Sequence, residues 1–238
     1  MAALGLTACA DDGGGEEITV FAAASLTGAF TAIGADFEAA HPGAKVTFNF
    51  AGSSGLATQI NQGAPADVFA SAAPANMTAV ADAGNLDGDP VTFAGNQLVI
   101  VVPEGNPKAV TGPADLARPD VKVALCAEQV PCGAAAVKAL DAAAVAVTPV
   151  TFEQDVKSAL SKVTLGEVDA ALVYRTDAQA ASGDVDAVEF PESASAVNEY
   201  PIAVLKAAPA KETAKAFVAY VLSDPAKKVL ADAGFQAP

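Results

Sequence analysis

Two short stretches of this chain place serine hydroxyls where an apolar, strand-like run gives way to a helix-like run. The first run, Ile18–Ala24, is followed directly by Ser25. The second run, Val46–Ala51, is followed after one glycine by Ser53 and Ser54. The start of a helix presents backbone N–H groups without intrahelical partners, together with the positive end of the helix dipole. With hydroxyl donors added, two such turns facing one cleft predict an oxyanion-binding site that needs no formal positive charge.

The charge of the chain restricts how an anion can be held. The 238 residues include 28 acidic and 13 basic side chains, which gives a formal net charge of −15 at pH 7. This balance argues against a nucleic-acid partner, because the basic surface that such a partner needs is lacking. It also argues against attraction of a mobile anion by a broad positive field. An anion site in this chain must therefore be local and built from oriented neutral donors.

An enzyme with Ser25 or Ser53 as nucleophile is the first alternative. Such chemistry requires a base within hydrogen-bond reach of the serine. The single histidine, His41, lies at the far end of the helix that Ser25 begins, and about fifteen helical residues span about 22 Å. Neither a Gly-x-Ser-x-Gly elbow nor a Ser-x-x-Lys motif fits either serine. We therefore predict a binding protein and not an enzyme.

The amino-terminal residues carry a possible export signal. The segment Leu6-Thr7-Ala8-Cys9 resembles a bacterial lipobox, in which the cysteine is acylated, although the apolar stretch before it is too short for a whole signal peptide. The acidic, glycine-rich residues that follow predict a flexible tether. We expect residues 1–17 to be a lipoprotein signal remnant and tether, and the exported protein to be lipid-anchored through Cys9 on the outer face of the cytoplasmic membrane. The alternative is a disordered leader with a chance cysteine.

The other two cysteines, Cys126 and Cys132, lie six positions apart between a strand-like and a helix-like run. If Cys9 is acylated, these two remain as a pair, and export favours a disulfide between them. The alternative is two reduced, buried thiols. A zinc site is not expected, because no further cysteine or histidine lies near the pair.

Strand-like and helix-like segments alternate along the chain and predict an α/β fold with largely parallel sheets. The predicted strands are Ile18–Phe21, Val46–Phe50, Asp67–Ala70, Gln97–Pro103, Val121–Cys126, Asp169–Tyr174 and Tyr200–Lys206. The predicted helices are Leu26–Ala40, Ser54–Gln62, Pro74–Ala83, Gly133–Ala142, Glu153–Lys162, Lys211–Leu222 and Pro225–Ala233.

Two crossovers, near Gly95 and near Tyr200, predict a division into two lobes. The first lobe would comprise residues 18–93 plus 202–238, and the second residues 94–201. Two connecting strands then form a hinge, and the ligand is expected in the cleft between the lobes.

Several of these segments together resemble one known family. The segments Phe21-Ala-Ala-Ala-Ser25-Leu26, Phe50-Ala-Gly-Ser53-Ser54, Gly63-Ala-Pro-Ala-Asp67-Val-Phe-Ala-Ser71-Ala72 and Leu172-Val-Tyr174 are similar to those of periplasmic molybdate-binding proteins. These proteins are the substrate receptors of molybdate ABC transporters. The resemblance covers roughly residues 18–235. It implies a type II periplasmic-binding-protein fold, in which each lobe is a mixed sheet flanked by helices, joined by a two-strand hinge.

The resemblance also implies a ligand and the residues that bind it. Molybdate or tungstate is expected in the cleft, held only by neutral hydrogen-bond donors, without a cofactor or a directly bound metal ion. Hydroxyl groups are expected from two serines and one tyrosine, and backbone N–H groups from three further positions, of which Cys132 departs from the usual alanine. The implied ligand residues are Ser25, Ser53, Ala72, Cys132, Val156 and Tyr174. The implied partner is a membrane permease of an ABC transporter, and the protein is expected to be a monomer.

Other interpretations of these residues remain open. Ser25 is also a plausible helix N-cap, and Tyr174 a plausible core aromatic residue. A transcription-regulator effector domain shares the architecture but would need a helix-turn-helix segment, which the sequence lacks. The main alternative function is a receptor of the same fold for sulfate or another tetrahedral oxyanion. Phosphate is disfavoured because its protonated form profits from an acceptor, and the implied ligand set has no carboxylate.

Overall fold

The computed structural model describes residues 16–238, which form an α/β protein. The strands of this part of the chain are β1 (Glu17–Ala23), β2 (Lys45–Ala51), β3 (Val68–Ala70), β4 (Val91–Asn96), β5 (Leu98–Pro103), β6 (Val123–Cys126), β7 (Thr151–Glu153), β8 (Ala170–Tyr174), β9 (Val185–Val188) and β10 (Asn198–Val204). Its α-helices are α1 (Thr27–Ala40), α2 (Ser53–Asn61), α3 (Pro74–Asp82), α4 (Pro131–Ala142), α5 (Val156–Thr164), α6 (Arg175–Ala180), α7 (Lys211–Val221) and α8 (Asp224–Asp232). Short 3₁₀ turns are formed by Ala24–Leu26, Pro113–Ala117 and Pro191–Ala196.

The strands form two separate mixed sheets, each of five strands. The first sheet has the order β2-β1-β3-β10-β4, with β1, β2 and β3 parallel and β10 antiparallel to its neighbours. The second has the order β7-β6-β8-β5-β9, with β6, β7 and β8 parallel and β5 antiparallel to both of its neighbours. Each sheet carries helices on its faces and defines one lobe. The two-lobed α/β fold predicted from the sequence is confirmed.

Each lobe has its own hydrophobic core. In the first lobe Phe37 of α1 packs edge-on against Phe217 of α7, with ring centroids 5.3 Å apart, and Phe30 lies 6.2 Å from the same ring. In the second lobe the continuous apolar run of Leu98–Val102 is completely buried, as expected for a strand that is covered on both faces. Each side chain of this size contributes about 1.5–3 kcal/mol when it is buried.

The chain passes between the two sheets twice, and the two passages lie side by side. It leaves the first sheet after Asn96 and enters the second at Leu98, and it is back in the first sheet from Asn198. Asn96 and Asn198 are register partners in the antiparallel pair of β4 and β10. The chain therefore changes sheets a few residues inside the predicted range 94–201, because residues 94–96 and 198–201 are still paired in the first sheet. The division into lobes at 93/94 and 201/202 stays a prediction. None of the helices within residues 16–238 is both long and apolar enough to span a membrane.

Candidate ligand-binding site

Six turns that follow parallel strands converge between the two lobes. On the first lobe these are the turns after β1, β2 and β3, and on the second lobe those after β6, β7 and β8. In open α/β sheets ligands bind at the carboxyl ends of the strands. Each turn here leads into a helix, so six helical starts with their N–H groups are directed towards one region.

These turns enclose a small cavity, which we call the interlobe cavity. All six residues predicted to bind ligand line it, namely Ser25, Ser53, Ala72, Cys132, Val156 and Tyr174. The other lining residues are Ala23, Ala24, Ala51, Gly52, Val130, Pro131 and Asp155. Its empty volume is about 220 Å³, the part open to solvent included. The enclosed space that a water-sized molecule can enter is only about 10 Å³, far below the roughly 300–1,000 Å³ of sites for drug-sized ligands, so a ligand held here is small.

Ser25 lies in the 3₁₀ turn between β1 and α1 and is buried. Its Oγ lies 2.9 Å from the hydroxyl oxygen of Tyr200. The residue in the N-cap position of α1 is Leu26, and no side chain caps this helix. The alternative interpretation of Ser25 as the N-cap is therefore wrong, and its hydroxyl is available at the interlobe cavity.

Ser53 is the first residue of α2, and its side chain is almost completely buried. Its Oγ accepts a hydrogen bond of 3.0 Å from the backbone N–H of Ala72, the residue that was itself predicted to bind ligand. A hydroxyl that accepts from an N–H group keeps its own proton free to donate elsewhere. Ser54, the next hydroxyl along the chain, does not line the interlobe cavity.

Cys132 lies in the first turn of α4 and forms a disulfide with Cys126 at the end of β6. The loop between them is wound tightly, since a Cβ placed on Gly133 would lie 2.0 Å from the carbonyl oxygen of Ala127. The disulfide and this close contact fix the helix start that is directed at the interlobe cavity.

Val156 is the first residue of α5, and Asp155, the residue before it, is the N-cap of that helix. Both oxygens of Asp155 accept hydrogen bonds from Ser158, one from its backbone N–H and one from its hydroxyl, each at 2.9 Å. Asp155 therefore caps α5, in agreement with its position before a helix. Each oxygen of this carboxylate therefore accepts one hydrogen bond from its own helix.

Tyr174 ends β8, and its side chain is fully buried. Its hydroxyl oxygen accepts a 2.7 Å hydrogen bond from Asn198 Nδ2. Burial raises the pKa of the Tyr174 hydroxyl well above its usual value of 10, and it raises the pKa of Tyr200 in the same way. Both phenols are therefore protonated at neutral pH, and the Tyr174 hydroxyl can donate either to the neighbouring Tyr200 hydroxyl or to a ligand.

The cationic side chains near the interlobe cavity are paired with acidic ones. Arg175, which follows Tyr174 directly, makes two 2.8 Å contacts with Glu189. Lys157, which follows Val156, lies with its Nζ 2.8 Å from the buried Asp177. Among the residues that the structure describes, no lysine or arginine lines the cavity. The site consequently offers neutral donors, as the sequence predicted, and one carboxylate that is already satisfied.

Three residues around the site were not predicted from the sequence. Tyr200 shares a hydrogen bond with Ser25, and Asn198 donates one to Tyr174. Asp177 is a fully buried carboxylate. Tyr200 lies within the part of the sequence that resembles the molybdate-binding family, but nothing in the residues around it predicted a contact with a ligand residue. Asn198 and Asp177 are polar residues whose importance follows only from the folded chain.

Comparisons with known proteins place this fold and site in one class. The model of the family of bacterial extracellular solute-binding proteins matches residues 18–236. The molybdate-binding protein ModA of Mycobacterium tuberculosis is 46% identical over 248 aligned positions, which cover 100% of this chain and 95% of that protein. A putative ABC transporter substrate-binding lipoprotein of Bacillus subtilis, YvgL, is 33% identical over 225 positions, covering 92% of this chain and 86% of that protein.

A solved structure agrees with these relatives at the level of the fold. The periplasmic molybdate-binding protein of Azotobacter vinelandii superposes with a TM-score of 0.81 over 93% of this chain and 99% of that one, at 19% identity. The family model and the relatives assign the chain to the class of solute-binding receptors rather than to enzymes. The chain belongs to the family of bacterial extracellular solute-binding proteins.

Proposed function

We propose that this solute-binding protein binds molybdate, and likewise tungstate, in the interlobe cavity and delivers it to the permease of an ABC transporter. The observation that carries the proposal is the convergence of six strand-to-helix turns on one small cavity lined by neutral donors. The name of the mycobacterial relative, at 46% identity over the whole chain, supports the choice of ligand. No cofactor is needed for this function.

The donor set favours a fully deprotonated tetrahedral anion. The hydroxyls of Ser25, Ser53 and Tyr174 and the N–H groups of Ala72, Cys132 and Val156 can all donate, and charge-assisted hydrogen bonds are worth about 1.5–3 kcal/mol each. A protonated phosphate would need an acceptor, whereas the carboxylate that lines the cavity, Asp155, serves as the N-cap of α5 and accepts from Ser158 at each of its oxygens. The single hydrogen of the Ala72 N–H is donated to Ser53 Oγ in this structure, so it would reach the ligand only as a hydrogen bond shared between Ser53 Oγ and the anion.

Binding is proposed to close the two lobes about the hinge formed by the two connecting passages. A ligand that contacts donors from both lobes stabilises the closed arrangement, because only there do all donors reach it. Residues 18–93 with 202–238 and residues 94–201 would then move as the two bodies.

The proposal is tested by comparing oxyanions directly. Isothermal titration calorimetry and thermal unfolding with molybdate, tungstate, sulfate, phosphate and chromate should show binding and a raised melting temperature for molybdate and tungstate. Sulfate is the alternative ligand, since it is also a tetrahedral dianion and differs mainly in size. A protein that is stabilised by sulfate and not by molybdate would overturn the proposal in favour of this alternative.

We propose further that the protein is exported as a monomer and held at the outer face of the cytoplasmic membrane through acylation of Cys9, a residue that lies outside the described residues. The lipobox-like segment before Cys9 and the lipoprotein relative of Bacillus subtilis support this proposal. Replacing Cys9 by Ser should release the protein from the membrane fraction. Continued membrane association of Cys9→Ser would rule out the anchor, and size-exclusion chromatography of the released protein tests the monomer.

A further inference from the structure

We propose that Asn198 is a positioning residue that fixes the Tyr174 hydroxyl as a donor towards the bound oxyanion. The inference rests on the proposed function, because it deepens the description of the same site. Asn198 is the first residue of β10 and lies where the chain returns from the second lobe to the first. Its side chain is not among the residues that line the interlobe cavity, so it acts through Tyr174 and not by touching the ligand.

The contacts of Asn198 determine which atom of its amide faces Tyr174. Its Nδ2 lies 2.7 Å from the carbonyl oxygen of Ala72 and 3.4 Å from that of Pro131. Carbonyl oxygens only accept hydrogen bonds, so the amide atom that meets them must be the nitrogen. The same nitrogen lies 2.7 Å from the hydroxyl oxygen of Tyr174.

The number of amide hydrogens then settles the role of the Tyr174 hydroxyl. Nδ2 carries two hydrogens and has two partners at 2.7 Å, Ala72 O and Tyr174 Oη. The Tyr174 oxygen therefore accepts, and its own proton is left to point away from Asn198. Tyr174 lines the interlobe cavity and its buried phenol stays protonated, and the Tyr200 hydroxyl is the acceptor beside it in the protein. When an anion is bound in the cavity, the same proton can be donated to the anion instead.

The same amide connects this orientation to the arrangement of the two lobes. Ala72 follows β3 in the first lobe, whereas Tyr174 and Pro131 belong to the second. One side chain on a connecting strand thus holds a group from each lobe. Separating the lobes would break at least one of these contacts, so the Asn198 amide keeps both of its partners only when the lobes are together.

A double-mutant cycle tests the inference. Asn198→Ala, Tyr174→Phe and the double variant are titrated with molybdate by calorimetry, or with sulfate if the wild-type protein gives no heat with molybdate. Tyr174→Phe should weaken binding about tenfold to a few hundredfold, and Asn198→Ala about tenfold. In the Tyr174→Phe background the further loss caused by Asn198→Ala should shrink to about twofold, because the hydroxyl on which Asn198 acts is gone.

The outcomes separate this inference from the proposed function. Equal losses for Asn198→Ala with and without the Tyr174 hydroxyl would overturn the positioning role and leave the oxyanion site intact. A wild-type protein that binds neither anion would overturn both. Asn198→Ser, which keeps a small polar side chain on β10, is measured in the same cycle together with the unliganded melting temperature. A loss of affinity that simply follows the loss of melting temperature in both backgrounds would also count against the inference.

Discussion

At the scale of single residues, two hydroxyls that line the interlobe cavity accept hydrogen bonds from amide groups of the protein. Ser53 Oγ accepts from the backbone N–H of Ala72, and Tyr174 Oη accepts from the amide of Asn198. Both partners can only donate at these contacts, so each hydroxyl has to offer its own proton elsewhere. A site made of such hydroxyls attracts an anion without a charged side chain.

Ser53 and Ser54 allow this arrangement to be tested with neighbouring residues of one helix. Ser53→Ala should weaken molybdate binding about tenfold or more, because one donor to a charged ligand is lost. Ser54→Ala is the matched control, since Ser54 lies next to Ser53 but outside the interlobe cavity. Calorimetric titration of both variants decides the point. Equal affinities of the two variants would contradict the assignment of Ser53.

Asp177 makes stability depend on pH. Burial raises the pKa of this carboxyl above its ordinary value of 3.8, an effect that the Lys157 ion pair only partly offsets. Within the described residues neither of its oxygens accepts a well-aligned hydrogen bond. The folded state therefore holds the Asp177 proton more tightly than the unfolded state does. It follows that stability is lost as the pH rises from about 4 through the raised pKa of the folded protein.

Asp177→Asn removes this dependence. The free energy of unfolding of Asp177→Asn and of the wild-type protein is measured with urea at several pH values between about 4.5 and 8. The value for Asp177→Asn minus that for the wild-type protein should increase as the pH rises. Each unit of pKa shift corresponds to about 1.4 kcal/mol. Asp141→Asn, a change at an exposed aspartate of α4, serves as the control and should show no such trend. A constant difference between Asp177→Asn and wild type would contradict the interpretation.

Which residues could be identified from the sequence depends on how local their signal is. Ser25 and Ser53 follow strand-like runs directly, so the positions of these hydroxyls could be inferred from neighbouring residues. Ala72, Cys132 and Val156 would donate through their backbone N–H groups, so their side chains do not indicate the role. They were predicted only from the family resemblance. Asn198 acts on Ala72, 126 residues away, and on Tyr174, and no local pattern reports contacts of that kind.

At the scale of elements, the same distinction separates the predicted strands from the missed ones. β1, β2 and β5 carry apolar or alternating runs and were predicted close to their observed bounds. β4, β7 and β9 were not predicted, and all three are edge strands. β4 has six residues, four of them buried, whereas β7 and β9 have three and four residues with mostly exposed or half-buried side chains. An edge strand forms because the neighbouring strand offers hydrogen bonds to its backbone. The side-chain pattern of a short edge strand therefore gives little indication of the strand.

The disulfide between Cys126 and Cys132 belongs to this scale because it joins the end of β6 to the start of α4. Replacing both cysteines by serine should lower the free energy of unfolding by roughly 2 kcal/mol for a loop of this length. It should also weaken molybdate binding, because the helix start at Cys132 is no longer held in place.

Urea unfolding, calorimetry and alkylation without reductant measure these effects. The wild-type Cys126 and Cys132 should resist alkylation until reductant is added. Free alkylation of both thiols in the wild-type protein, or unchanged stability of the double variant, would show that the bridge is absent or without consequence.

At the scale of the whole molecule, the two lobes touch at one backbone position where a side chain would not fit. A Cβ added to Gly52 would lie 2.2 Å from the carbonyl oxygen of Gln154 in the opposite lobe. The backbone of Gly52 (φ −61°, ψ 131°) is one that any residue adopts. The requirement for glycine at this position therefore comes from the approach of the other lobe and not from the turn itself.

Gly52→Ala should consequently leave each lobe folded while hindering full closure. We expect molybdate affinity to fall about tenfold or more, and the decrease in radius of gyration on adding molybdate, measured by small-angle X-ray scattering, to become smaller. Gly55→Ala, three residues further along α2, is the matched control because a Cβ there meets nothing within 4 Å. Wild-type affinity and compaction in Gly52→Ala would show that the lobes need not approach so closely.

The neutral lining of the interlobe cavity has a kinetic consequence for the protein in solution. A dianion approaching a molecule of net charge −15 is repelled at long range, and a lining without lysine or arginine does nothing to offset that repulsion before contact. Dissolved salt shortens the reach of the repulsion to about 10 Å at 0.1 M ionic strength. Capture of the ligand should therefore quicken as sodium chloride is added, the reverse of the behaviour of receptors that draw anions in with basic side chains.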